Sequence, residues 1–184
     1  MQIISVINQK GGVGKTTTVI NLAAGLSQHN KKILVIDLDP QGNATTGLGL
    51  SNMENSSDTI YGVLNGTKEI YQVIKKTQFE NLDLITSNVD LSGLEVETAN
   101  DTNRAFILKR KLAAYLNNSR GAYDYILIDC PPSLSLLTVM SLVCSGSLLV
   151  PLQTEFFALE GLTQLMKTIE RIKVSMNTEL KIRG

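Results

Sequence analysis

Cysteine is scarce. Cys130 and Cys144 are the two in 184 residues, and they form no C-x-x-C pair. They cannot build a disulfide framework, so a reduced, cytosolic setting is expected. Histidine occurs once, at His29, so Cys130 has no nearby Cys or His with which to hold a metal. It reads as a small buried residue. Neither charge sign dominates: 17 Lys+Arg face 17 Asp+Glu. No overall basic excess marks a nucleic-acid partner, and no acidic excess marks a basic one. The longest apolar stretch, 139–152, is broken by Ser141, Ser145, Gly146 and Ser147, well short of the roughly 20 residues that a bilayer span needs. The first five residues carry no charged leader. There is no internal repeat or low-complexity tract. With 43% hydrophobic and 18% charged residues, wholesale disorder is excluded. One soluble domain over 1–184, with no membrane partner, is expected.

Short, nearly continuous apolar runs occupy residues 3–7, 33–36, 82–85, 125–128 and 148–150. Continuous runs indicate strands buried on both faces, as in parallel sheets. Helical spacing appears between them, over 16–29, 102–116 and 159–174. Strands alternating with helices predict an α/β fold, a doubly wound, mostly parallel sheet with helices on both faces. Residues 38–58, rich in Gly, Asn and Ser, read as one long polar loop, and loops of that length are functional or disordered.

The densest chemistry lies at 10–17, Lys10-Gly11-Gly12-Val13-Gly14-Lys15-Thr16-Thr17. It follows the first strand and opens the first helix. Glycines without Cβ atoms let backbone N–H groups turn inward on phosphate oxygens. The helix N-terminus adds partial positive charge. Lys15 supplies a full charge to the β/γ-phosphates, and the Thr16 hydroxyl is placed to ligate Mg²⁺. This is the strand–loop–helix context of a P-loop NTPase. The common pattern has glycine where this chain has Gln9, and Lys10 is an additional lysine. The competing reading is a glycine-rich turn with surface lysines.

Ligands of doubly wound sheets lie beyond the carboxyl ends of the strands. Asp37 and Asp129 both sit at such ends. Asp129, after Ile126-Leu127-Ile128, has the Walker B form and can hold a Mg²⁺-bound water. The plainer alternative is a solvated or helix-capping Asp. Asp39, two residues beyond Asp37, can turn toward a γ-phosphate and attacking water. Read alone, Asp39-Pro40 is a turn initiator.

Three motifs in order, residues 10–17, residues 37–45 (Asp37-Leu38-Asp39-Pro40-Gln41-Gly42-Asn43-Ala44-Thr45) and residues 128–133 (Ile128-Asp129-Cys130-Pro131-Pro132-Ser133), resemble the ParA/Soj branch of the deviant-Walker partitioning ATPases. Asn8-Gln9 also fits this branch, so the missing glycine is a family trait. The resemblance implies ATP and Mg²⁺. It implies that Lys10 acts on a partner subunit's phosphates within an ATP-dependent homodimer, that Lys15 is the loop lysine, and that Thr16 is a Mg²⁺ ligand. It assigns Asp39 to the hydrolytic water and the metal side of the site, Asp129 to the Walker B role, and Pro131-Pro132 to switch II. Glycines 11, 12 and 14, with Val13 and Thr17, would complete the nucleotide contacts. The implied partners are a ParB-type centromere-binding protein and non-specific DNA, in a cytoplasmic, nucleoid-associated setting. Residues 180–184 read as the opening of another strand. Relative to the family the chain reads as C-terminally truncated, with the adenine-contacting segment and most DNA-binding arginines expected beyond residue 184.

Rival readings remain at this level. A MinD-like division-site ATPase would need a C-terminal amphipathic helix. A metal-cluster carrier would need paired cysteines. A non-hydrolysing nucleotide-binding or dimerisation module would need neither. His29 reads as a helix C-terminal cation, Cys144 as core, and the basic stretch 104–111 as a solvated helix face. Phe156-Phe157 reads as packing under the following helix.

Overall fold

The computed structural model describes residues 1–51, 55–118, 122–153 and 158–184, the last from its backbone alone over 158–160. The strands are β1 (Gln2–Val6), β2 (Ile33–Asp37), β3 (Ile74–Lys76), β4 (Leu82–Ile85), β5 (Tyr125–Asp129), β6 (Ser147–Leu149) and β7 (Lys181–Ile182). The helices are α1 (Lys15–Gln28), α2 (Asn43–Gly47), α3 (Ile60–Leu64), α4 (Ile70–Val73), α5 (Leu94–Glu97), α6 (Ile107–Asn118), α7 (Leu136–Cys144) and α8 (Ala158–Ser175). The Phe156-Phe157 pair lies outside the described residues.

The strands form one sheet in the order β3-β4-β2-β5-β1-β6-β7. Every neighbouring pair is parallel except β3 with β4. The chain leaves β1 for one edge, returns to β5 beside β1, then builds outward to β6 and β7. The reversal places the strand order's switch point at the carboxyl end of β1, where such sheets form a crevice. The predicted doubly wound α/β sheet is observed.

Alternation along the central strands feeds two cores. Leu34, Ile36, Ile126 and Ile128 join the side covered by α3, α6, α7 and α8. Ile33, Val35, Leu84 and Leu127 join the side covered by α1. Side chains this fully buried stabilise by roughly 1.5–3 kcal/mol each before entropy is counted. Helix α1 buries Lys15, Val19, Ala23 and Ser27. That spacing is one stripe at i, i+4. Seating Val19 and Ala23 against the sheet therefore also turns Lys15 inward under the glycine loop.

The 38–58 stretch is not one loop. It contains α2 and a 3₁₀ turn, Ser56–Asp58. Helix α2 starts after Gly42 at φ 63° and lacks the apolar period by which helices are read. The basic face of 104–111 is partly tied down: Lys111 pairs with Glu69 at 2.8 Å, and Arg110 lies 3.9 Å from Asp101. His29 caps the carboxyl end of α1. Cys130 is buried and its Sγ donates to Ser141 Oγ at 3.1 Å. Among the described residues, no helix is long and apolar enough to cross a membrane.

Candidate functional site

The loop from β1 to α1 is shaped by two left-handed glycines, Gly12 at φ 74° and Gly14 at φ 90°. Ideal Cβ atoms on Gly11, Gly12 and Gly14 would meet nothing within 4 Å. The space above them is an open cradle that side chains would fill. Gly14 occupies the N-cap of α1 without a side-chain hydrogen bond, and the first turn holds no acidic residue. The first-turn amides and their partial positive charge are therefore left without a capping side chain from the helix itself.

A cavity of about 280 Å³ opens there, lined by Gly11, Gly12, Gly14, Lys15, Thr16, Thr17, Asp39, Asn43 and Pro132. Lys15 is 7% exposed, and its Nζ donates to Lys10 O at 3.0 Å across the loop. Burial holds its pKa below the ordinary lysine value, against the opposing pull of Asp129 and Asp39. An entering anion would add to the pull of these carboxylates and favour the charged ammonium further.

Asp129 lies behind Thr16. The Thr16 hydroxyl donates to Asp129 Oδ2 at 2.7 Å, while Asp129 Oδ1 is buried with no hydrogen-bond partner. Desolvation raises the Asp129 pKa to about 7, and the neighbouring Asp37 and Asp39 push the same way. Asp37 and Asp129 are register partners on adjacent strands, so two buried acids stand side by side. A hard divalent cation takes oxygen ligands. A hydroxyl, an orphaned carboxylate oxygen and an excess of buried negative charge fit such an ion. Thr16 and Asp129 would hold it, with Asp39 on the cavity wall nearby.

The structure brings together Gly11, Gly12, Gly14, Lys15, Thr16, Thr17 and Asp39, with Asp129 one layer behind. Val13 is buried beneath the loop and does not line the cavity. Lys10 is exposed and stands outside the lining. Three contributors escaped sequence reasoning. Asn43 lines the cavity from the start of α2. Thr45 donates to Asp37. Gln153 Nε2 donates to Gly12 O at 3.1 Å. Asn43 and Thr45 sit inside the acidic motif, where the motif itself was the available signal. Gln153 follows the carboxyl end of β6, and only the strand-end rule points to it. Beside it, Asn8 Nδ2 donates to Pro151 O at 2.8 Å and Asn8 Oδ1 accepts from Lys10 N at 3.0 Å. The loop is thus tied to the segment leaving β6.

An AAA domain family matches residues 1–182. The chromosome partitioning protein ParA of Caulobacter vibrioides is 47% identical over 184 residues, covering all of this chain and 68% of that protein. The sporulation initiation inhibitor protein Soj of Bacillus subtilis is 46% identical over 183 residues, covering all of this chain and 70% of that protein. The crystal structure of cobyrinic acid a,c-diamide synthase from Mycobacterium smegmatis, with bound ATP analogue and magnesium, matches with a TM-score of 0.91 at 37% identity. That match covers 99% of this chain and 72% of the synthase. Over its full length, the chain belongs to the ParA/Soj family of chromosome-partitioning P-loop ATPases.

Proposed function

We propose that residues 1–184 act as one P-loop ATPase domain that binds Mg·ATP in the glycine-loop cavity, hydrolyses the β–γ phosphoanhydride and uses the reaction as a dimerisation switch in chromosome or plasmid segregation. One observation carries the reading: an uncapped helix N-terminus, an inward Lys15 and a Thr16–Asp129 pair with an orphaned oxygen converge on one cavity.

Each residue has a physical task. The loop amides of 11–16 and the α1 terminus bind phosphate oxygens. Lys15 neutralises charge at the β- and γ-phosphates. Thr16 and Asp129 hold Mg²⁺, which screens the developing negative charge. Asp39 orients the hydrolytic water. Its Oδ1 accepts from Gln41 N at 3.0 Å, which leaves the other oxygen for that work. Lys10 reaches from one subunit to its partner's phosphates, a device worth roughly 10³–10⁵ in rate where arginine fingers do the same. Two subunits gripping one γ-phosphate give ATP its differential affinity for the dimer. Moving that equilibrium from 1:99 to 99:1 takes about 5.5 kcal/mol. A ParB-type centromere-binding protein and non-specific DNA are the proposed partners, and the nucleoid-bearing cytoplasm is the proposed location.

The test is ATP hydrolysis by the purified chain with Mg²⁺, with and without DNA and a ParB-type protein, beside Lys15→Ala. Wild type should turn over ATP and form a nucleotide-dependent dimer, and Lys15→Ala should lose the turnover. Equal rates for the two proteins, with no such dimer, would leave a nucleotide-binding module that does not hydrolyse.

A further inference from the structure

We propose that Asp37 and Thr45 are positioning residues: together with the Ser87 amide they close a buried clasp that holds the Asp39 turn over the cavity. The assignment rests on the ATPase reading of that cavity and deepens it.

The observations form a closed circuit. Asp37 and Thr45 are both 0% exposed. Asp37 Oδ2 accepts from Thr45 N and from Thr45 Oγ1, each at 2.7 Å. Asp37 Oδ1 accepts from Asp39 N at 3.1 Å. Thr45 Oγ1 also accepts from Ser87 N at 3.0 Å. An ionised carboxylate can only accept and a backbone amide can only donate, so the hydroxyl proton has one place to go. The Thr45 side chain is therefore fixed in direction and joins the end of β2 to the segment leaving β4.

Between the two ends of the clasp lies the turn that carries Asp39. Gln41 N donates to Asp39 Oδ1, and Gly42 N donates to Asp39 O at 2.9 Å. Between Asp37 and Thr45 the deeply buried apolar side chains are Leu38 and Ala44 at the two ends, both 0% exposed, and none lies at 39–43. A short polar turn is held by its hydrogen bonds, and a catalytic group misplaced by about 1 Å can cost on the order of 10²-fold in rate. Asp37 never lines the cavity. It acts through Asp39.

The test compares Thr45→Val, which keeps shape and loses the hydroxyl, with Thr45→Ser, which keeps the hydroxyl. Three readouts are taken on the full chain: kcat and KM for Mg·ATP, the Kd of a fluorescent ATP analogue, and amide hydrogen exchange over 38–46 without nucleotide. For Thr45→Val, kcat should fall at least about tenfold while analogue Kd stays within about threefold. Exchange over 38–46 should quicken by about tenfold or more, while that over 126–129 should be unchanged. Thr45→Ser should track wild type in all three. Wild-type kcat and exchange in Thr45→Val would overturn the clasp, and so would equal damage from serine and valine. A Kd that rises in step with the loss of kcat would also overturn it, because that marks general damage to the cavity. If Thr45→Val does not fold, Asp37→Asn replaces it with the same expectations. A wild-type chain that neither binds nor hydrolyses ATP defeats the ATPase reading, and the exchange comparison then decides the clasp alone.

Discussion

Asp129 spends burial on a charge. Its pKa is raised to about 7 by desolvation, and that of its strand neighbour Asp37 to about 6 by the same cause. An unfolded carboxyl loses its proton near pH 4. Between about pH 4 and 7 the folded chain therefore holds protons that the unfolded chain has released, so stability falls as pH rises through that window. The combined effect is on the order of a few kcal/mol. Asp129→Asn removes one contributor without changing shape. In urea unfolding without nucleotide or Mg²⁺, the variant should gain stability relative to wild type from pH 5 to pH 8. A wild-type-minus-variant difference that stays flat over that range would show that Asp129 titrates normally in the folded chain. A cation bound beside these two acids would offset their burial and lower both pKa values. Sequence reading found both acids by their place at strand ends. It could not see that Thr45, which donates to Asp37, also accepts from the Ser87 amide, because the Thr45–Ser87 contact is set by β2 and β4 lying side by side, not by spacing along the chain.

At the scale of elements, two helical glycines make the same substitution run in opposite directions. Gly25 lies within α1, and an added Cβ there meets nothing within 4 Å. Gly25→Ala should stabilise by about 0.5–1 kcal/mol through helix propensity and unfolded-state entropy. Gly62 lies within α3, where an added Cβ would fall 2.0 Å from Ser57 O of the preceding 3₁₀ turn. That neighbour is backbone and cannot swing aside. Gly62→Ala should destabilise by at least about 2 kcal/mol despite the better helix former. Thermal melts check both, at roughly 2–4 °C per kcal/mol for a chain of this size. A Gly62→Ala protein as stable as wild type would mean that α3 is not seated against that turn. The same elements mark where the sequence stops being readable. β1, β2, β4, β5 and β6 announce themselves as apolar runs because both their faces are covered. β3, Ile-Lys-Lys, is a three-residue edge strand with no such run. Helices α3, α4 and α5 are each one turn or little more, too short for a period to show. Helix α2 is hidden by its own composition, since Asn-Ala-Thr-Thr-Gly reads as loop.

At the scale of the whole molecule, the sheet separates the two lysines of the loop by what surrounds them. Lys15 belongs to the stripe that seats α1 and points under the loop. Lys10 is exposed at the carboxyl edge of the sheet, outside the cavity that its own loop encloses. The sequence places them five residues apart and does not separate their tasks. The proposed switch does: Lys15 would serve its own cavity, and a two-fold dimer across that edge would bring the exposed Lys10 to the opposite one. On this arrangement neither Lys10→Ala nor Lys15→Ala hydrolyses ATP alone, since each dimer lacks one of the two charges at both sites. Mixed in equal amounts they should regain activity, because a heterodimer contains one site with an intact Lys15 and a partner's intact Lys10. Random pairing makes half the dimers mixed, each with one working site, so the mixture should reach about a quarter of the wild-type rate. ATPase titration of one variant into the other measures it directly. Full activity of Lys10→Ala alone, or no recovery at any ratio while the mixed dimer is seen by native mass measurement, would place the work of Lys10 somewhere other than across the subunit boundary.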